Sequence, residues 1–114
     1  MMALTATLEM TEKKVAKITL AGELDANVAA QFKEKVEEAA KQGAKRLALL
    51  LKDLEYIASA GIRVLIFAKQ KMGSGVDILV VEPQEQIKET LEMTGLLYSV
   101  EVLDTYDAAR VENL

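Results

Sequence analysis

The chain has 114 residues, of which 51% are hydrophobic and only 4% aromatic, and its net charge at pH 7 is −4. This length and composition predict one domain, residues 1–114, with a core of aliphatic side chains. Because the chain contains no Cys and no His, disulfides, thiol nucleophiles, imidazole bases and the usual zinc sites are excluded. The acidic balance disfavours nucleic acid as a partner.

The remaining acid–base groups and the apolar segments favour a cytoplasmic protein that is not an enzyme. Asp and Glu residues are scattered, with no recognisable catalytic spacing, so we expect no catalytic residue, no metal site and no cofactor. No apolar run approaches the roughly 20 residues that span a bilayer. Residues 1–5 lack a basic region followed by an apolar one, which predicts that there is no signal peptide.

The first 27 residues predict an antiparallel hairpin followed by the start of a helix. Thr5–Met10 and residues 15–21 alternate between apolar and polar side chains, as paired strands do. The segment Gly22-Glu23-Leu24-Asp25 is expected to break the second strand. Asp25 or Asn27 is then expected to cap the first helix.

The middle of the chain predicts two helices separated by a buried strand. Gly43 is expected to end the first helix in a left-handed conformation. Residues 46–51 are continuously apolar after Arg46, which is typical of a central strand covered on both faces. A second helix begins at Ser59 and continues to Lys71 or Met72, where Gly73-Ser74-Gly75 is expected to stop it.

The last third of the chain predicts two more strands and two more helices. Asp77–Val81 and residues 100–103 have the composition of short buried strands. Pro83 is expected to open a helix that Gly95 closes, and residues 105–114 are expected to form a terminal helix. Because strands alternate with helices after the hairpin, the pattern predicts an α/β fold with a mixed sheet and about four helices.

Ser59 is the most informative single residue, since it lies where a connector meets an apolar helix. From the residues alone, the default interpretation is that its hydroxyl caps the helix. The alternative is phosphorylation, because exposed N–H groups and the helix dipole favour an anion there. Arg63, one helical turn later, is either a partner for a phosphate or carboxylate or a solvated side chain. If this helix start is at the surface, Ile62 is expected to contribute to an apolar patch.

Three segments carry a family resemblance. Residues 53–65 follow a strand and have the pattern Asp-Leu-x-x-Ile-x-Ser-Ala-Gly-Ile-x-Val-Leu. Gly22-Glu23-Leu24-Asp25 precedes the first helix, and Met93-Thr94-Gly95-Leu96 closes the third. In this order, and over essentially the whole chain, the sequence resembles the STAS domain of bacterial anti-sigma-factor antagonists.

The resemblance implies a regulatory protein. Such proteins bind an anti-sigma factor, which is a serine kinase of the histidine-kinase-like ATPase type, and thereby free a sigma factor. Phosphorylation of the serine before the second helix blocks binding, and a serine phosphatase restores it; Ser59 matches that serine. Phosphorylated members usually carry Asp where this chain has Ala58. The implied partner surface consists of Glu23, Asp25, Ala58, Ser59, Ala60, Gly61, Ile62 and Arg63.

Two other functions compete with this one. The first keeps the fold but makes the protein a STAS subunit of another signalling or transport assembly, in which Ser59 is not phosphorylated; Ala58 favours it. The second is a small acid–base enzyme that uses Asp25 and Glu23. The lack of His and Cys counts against the enzyme.

Overall fold

A mixed sheet organises the protein, whose computed structural model describes residues 4–73 and 75–113. Within these residues the sheet has six strands. They are β1 (Thr5–Met10), β2 (Val15–Leu24), β3 (Arg46–Leu50), β4 (Leu54–Ile57), β5 (Asp77–Val81) and β6 (Glu101–Leu103). The helices are α1 (Ala29–Lys41), α2 (Ser59–Met72), α3 (Glu85–Met93) and α4 (Ala108–Glu112), with one turn of 3-10 helix at Leu96–Tyr98.

The strand order β1-β2-β3-β5-β6 confirms the predicted fold class. β1 and β2 form an antiparallel hairpin, and the other pairings are parallel. β4 lies off this path and pairs in parallel with the last residues of β2. The protein is therefore a single α/β domain in which the helices return the chain between parallel strands.

Both faces of the sheet are buried at β3, as the continuous apolar run predicts. One face packs against α1, α2 and α3 through a large cluster that includes Ile18, Phe32 and Leu49. The opposite face carries a smaller cluster around Ala48 and Leu79, to which α4 adds Val111. α4 thus covers one part of the face that the other helices leave open.

The predicted break at Gly22-Glu23-Leu24-Asp25 is wrong, because β2 continues to Leu24. β2 changes partner along its length: Val15 to Thr19 pair with β3, and Gly22 to Leu24 pair with β4. The register shifts between Gly22 and Glu23. Gly22 has a φ of 101°, which glycine adopts readily, so it allows an irregularity inside a continuous strand.

The predicted cap of α1 is also wrong. The residue before the helix is Val28, and no side chain caps the helix. The Asp25 carboxylate instead accepts a hydrogen bond from the Asn27 N–H at 2.9 Å, which is a turn that Asp commonly stabilises. At the other end of α1, Gly43 has a φ of 79°, so the predicted left-handed stop is confirmed.

The remaining helix ends agree with the sequence to within three residues. α3 begins at Glu85, two residues after Pro83, and Gly95 follows its last turn with a φ of 77°. α4 begins at Ala108, three residues later than predicted, because the Asp107 side chain caps it. Gly73 ends α2 as predicted, whereas Ser74 and Leu114 lie outside the described residues.

Candidate functional site

The carboxyl ends of β2 and β4 lie side by side and carry the two predicted loops. Glu23 is opposite Tyr56, and Leu24 is opposite Ile57. Beyond the last strand pair, the Ala58 N–H donates to the Leu24 carbonyl at 2.8 Å. The turn that contains Asp25 therefore adjoins the start of α2.

Burial divides the predicted partner residues into two groups. Ile62 is only 7% exposed and belongs to the core, so it does not form an apolar surface patch. Gly61 is buried as well. These two residues position the backbone, whereas the side chains that reach solvent, fully or in part, are Glu23, Asp25, Ala58, Ser59, Ala60 and Arg63.

The hydroxyl of Ser59 does not cap α2, so the default interpretation from the sequence is wrong. The capping position is Ala58, which has extended backbone angles and no side chain able to accept a hydrogen bond. Ser59 is one residue further, the first residue of the helix. Its exposed Oγ accepts a hydrogen bond from Arg63 Nη2 at 3.4 Å. The structure therefore leaves the hydroxyl without a capping role.

The start of α2 is an electropositive environment for that hydroxyl. The earliest helical hydrogen bonds are donated by Gly61 and Ile62 to the Ala58 carbonyl, at 2.9 and 3.1 Å. The N–H groups of Ser59 and Ala60 precede them, so they have no intrahelical acceptor. Because these groups, the helix dipole and the Arg63 guanidinium all favour negative charge, an anionic group on Ser59 would be stabilised where it forms.

Gly61 allows α2 to begin this close to the sheet. A Cβ atom on Gly61 would lie 2.7 Å from Leu24 Cδ2 and 2.9 Å from Ile57 Cγ1. Both neighbours are buried, Leu24 at 0% and Ile57 at 7% exposure. Any residue with a Cβ atom would therefore require α2, Leu24 or Ile57 to shift.

The structure adds residues that the sequence analysis did not single out. Tyr56 on β4 is 50% exposed beside Glu23. The sequence signal that could have identified it is an aromatic residue three positions before Ser59. Two glutamines at the start of α3 bind the backbone of β4 and of the connector before it. Gln86 Nε2 donates to the carbonyl of Glu55 in β4 at 3.3 Å, and Gln84 Nε2 donates to the carbonyl of Lys52 in the connector at 3.1 Å. No sequence pattern indicated these long-range contacts.

Among residues 4–73 and 75–113, no group of three or more His, Cys, Asp or Glu side chains is arranged to hold a metal ion. In the same part of the chain, no helix combines the length and the apolar character needed to cross a membrane.

The fold and the strand–serine–helix junction agree with the comparison to known families. Residues 8–109 match the STAS domain family, and the chain therefore belongs to the STAS domain proteins. A relative from Bordetella bronchiseptica, BtrV, is assigned as an anti-sigma factor antagonist. It is 33% identical over 90 residues, which cover 78% of this chain and 71% of the relative.

Solved structures share the whole fold. An anti-sigma factor antagonist from Mycobacterium paratuberculosis superposes with a TM-score of 0.86 at 21% identity, over 97% of this chain and 96% of that one. The unphosphorylated form of the antagonist SpoIIAA gives 0.77 at 19% identity, over 96% and 100%. The phosphorylated form of SpoIIAA from Bacillus gives 0.69 at 21% identity, over 86% and 90%. At these identities the likeness establishes the fold, which is that of anti-sigma factor antagonists.

Proposed function

We propose that this protein is a cytoplasmic anti-sigma factor antagonist whose binding is switched by phosphorylation of Ser59. The observation that carries the proposal is the position of the Ser59 hydroxyl. It is exposed, has no capping role, lies beside Arg63 and adjoins the Asp25 turn. The existence of SpoIIAA in phosphorylated and unphosphorylated forms supports the same chemistry on this fold. The proposed partner is an anti-sigma factor that is also the serine kinase, and a serine phosphatase reverses the modification.

The proposed switch depends on where the added charge is tolerated. A phosphate on Ser59 adds about −1.5 to −2 charges and three acceptor oxygens. In the free protein, the helix N-terminus, Arg63 and solvent stabilise that charge, so the domain stays folded. In the complex, the same charge must be desolvated within a packed interface that was formed around a neutral hydroxyl. Phosphorylation therefore weakens binding without unfolding the protein.

Charge substitution at Ser59 tests the switch. The binding partner is first recovered by affinity capture from the native host, and an ATPase-domain kinase is expected among the captured proteins. With that kinase purified, Ser59→Asp is expected to bind much more weakly than the parent at an unchanged melting temperature. Ser59→Ala is expected to bind but to resist inactivation by kinase and ATP.

Ser99→Asp is the matched control, because Ser99 is exposed and precedes β6 at the opposite end of the parallel strands. It makes the same change in charge and is expected to bind like the parent. Binding of Ser59→Asp as tight as that of the parent would refute the switch.

One observation favours a second function. Ala58 presents no carboxylate beside Ser59, whereas phosphorylated members of the family usually have Asp there. A STAS subunit of another signalling or transport assembly, with an unmodified Ser59, accounts for this difference. If the captured kinase and ATP leave Ser59 unmodified while the unmodified protein still binds a multiprotein assembly, this second function is supported.

A further inference from the structure

β1 is an edge strand whose outer side is unpaired in the described chain. It pairs with β2 along its whole length, from Thr5 opposite Ala21 to Met10 opposite Ala16, without a bulge. It is also the first strand in the sheet order. Every second backbone N–H and C=O group of β1 thus points away from the sheet, where another strand can bind.

The strand at the opposite edge of the sheet, β6, is protected against pairing with another strand, whereas β1 is not. β6 has only three residues, and its Glu101 carboxylate is held by the Arg110 guanidinium, with Nε donating at 2.9 Å. Short length and charge are the common protections of a sheet edge. β1 has six residues without Pro, Lys or a bulge, and its single charge is Glu9.

The two faces of β1 match a second copy of the same strand. Ala6, Leu8 and Met10 are half-buried on the helix side, whereas Thr5, Thr7 and Glu9 are exposed on the other. An antiparallel pair of β1 strands with Thr7 opposite Thr7 places Ala6 opposite Leu8 and Thr5 opposite Glu9. Apolar side chains then face apolar ones, and neither Glu9 lies opposite another charge.

We propose that two copies of this protein associate through β1 into one continuous sheet, with the two-fold axis at Thr7. One edge of six residues is small compared with the roughly 20–30 residues per side of a stable interface. The association is therefore reversible and favoured by high protein concentration. Because β4 and Ser59 lie on the other side of β2 from β1, the dimer leaves both Ser59 sites accessible, pointing in opposite directions.

Single cysteines test the register, since the chain has none of its own. In the proposed dimer, a Thr7→Cys residue lies directly opposite its copy, within the geometry of a disulfide. Mild oxidation is expected to convert this variant to a covalent dimer. Thr19→Cys is the matched control, because Thr19 is opposite Thr7 on β2 and is also exposed. Its copy lies three strand spacings away, roughly 14 Å, which is too far for a disulfide.

Sedimentation of cysteine-free variants provides the second measurement. The parent is expected to shift from monomer to dimer with rising concentration. Thr7→Lys places two ammonium groups opposite each other and is expected to abolish that shift, whereas Thr19→Lys is expected to retain it; circular dichroism verifies that both are folded. The proposal is overturned if the parent stays monomeric. It is also overturned if Thr19→Cys or Leu8→Cys cross-links as efficiently as Thr7→Cys, because neither residue lies opposite its own copy in the proposed register.

Discussion

Gly61 and Ser59 lie two residues apart and have different roles in the structure. Gly61 is required by packing, because a Cβ atom there would overlap two buried side chains. Ser59 is not required as a cap, because Ala58 occupies the capping position and the Ser59 hydroxyl bonds to Arg63. Changes at Gly61 should therefore affect stability, whereas changes at Ser59 should affect binding.

We expect Gly61→Ala to lower the free energy of unfolding. Over-packing a buried site costs about 1–3 kcal/mol, which exceeds the gain of up to about 1 kcal/mol from the higher helix propensity of Ala. Denaturant unfolding measures the difference. Gly75→Ala is the control, since a Cβ atom there meets nothing within 4 Å. A Gly61→Ala protein as stable as the parent would show that Leu24 and Ile57 can move aside.

We expect Ala58→Asp to stabilise the protein by about 1 kcal/mol, because an Asp side chain at the capping position can accept a hydrogen bond from the first turn of α2. Ala58 already has the extended backbone that a cap requires, with φ −88° and ψ 170°. Thermal unfolding measures the gain. An unchanged melting temperature would contradict the assignment of Ala58 as the capping residue.

The variant Ala58→Asn distinguishes the effect of helix capping from the effect of a negative charge at this position. Asn caps helices about as well as Asp, so both variants should be similarly stabilised. If the kinase recognises a carboxylate before Ser59, only Ala58→Asp should be phosphorylated faster than the parent. Equal rates for the two variants would attribute any gain to the cap instead.

Most elements could be predicted from the sequence, and β4 shows why the exceptions could not. The bounds of β1, α2 and β5 follow from alternation, helical spacing and glycine stops. β4 is four residues long and is buried only at its two ends, Leu54 and Ile57, so it shows no alternation. Its pairing with β2 depends on a register shift at Gly22, which no local pattern predicts. The family resemblance implied that Asp25 and Ser59 share one surface, but β4 is the strand that brings them together.

α4 is attached to the sheet largely through polar contacts. Arg46, which is 6% exposed, donates from Nη1 to the carbonyls of Arg110 and Asn113 at 2.9 and 2.7 Å. Glu112 contacts Lys17 at 3.3 Å. Among the described residues of α4, Val111 is the one buried side chain. This helix should therefore respond to pH more than the other helices do.

We expect α4 to loosen in acid. The Arg110 guanidinium hydrogen-bonds to Glu101 and lowers its pKa below the ordinary 4.5. Hydrogen bonds from Tyr106 and Lys17 lower the pKa of Glu112 in the same way. A carboxyl group with a lowered pKa stabilises the folded state above its ordinary pKa and loses that contribution as pH falls through the lowered value. Hydrogen exchange of the Val111 N–H, which bonds to the Asp107 carbonyl at 2.9 Å, should therefore accelerate below about pH 4.5 relative to core amides.

Glu101→Gln is the control for this acid response. It removes one titrating group, so exchange at Val111 should already be faster at neutral pH and should change less on acidification. Equal acceleration of Val111 and of core amides in the parent would indicate global unfolding rather than release of α4.

The proposed partner site and the proposed self-association surface are formed by different strands of the sheet. The proposed partner site lies where the parallel strands β2 and β4 end, as function does in many open α/β sheets. The proposed self-association surface is the outer edge of β1, on the opposite side of β2 from β4. Among the described residues, no hydrogen bond joins β1 to the Asp25 turn or to the start of α2, so the two surfaces should act independently.

We therefore expect self-association to be unaffected by a charge at the switch. The double variant Thr7→Cys/Ser59→Asp should form the covalent dimer to the same extent as Thr7→Cys alone, because Ser59 points away from the β1 pair and its charge is screened by solvent at that separation. Conversely, Thr7→Lys should bind the purified kinase as the parent does, since Thr7 is not part of the Asp25 and Ser59 surface. Cross-linking yield and binding affinity are the two measurements. A loss of dimer caused by Ser59→Asp would show instead that the switch residue controls the β1 edge, and the two surfaces would then have to be treated as one coupled system.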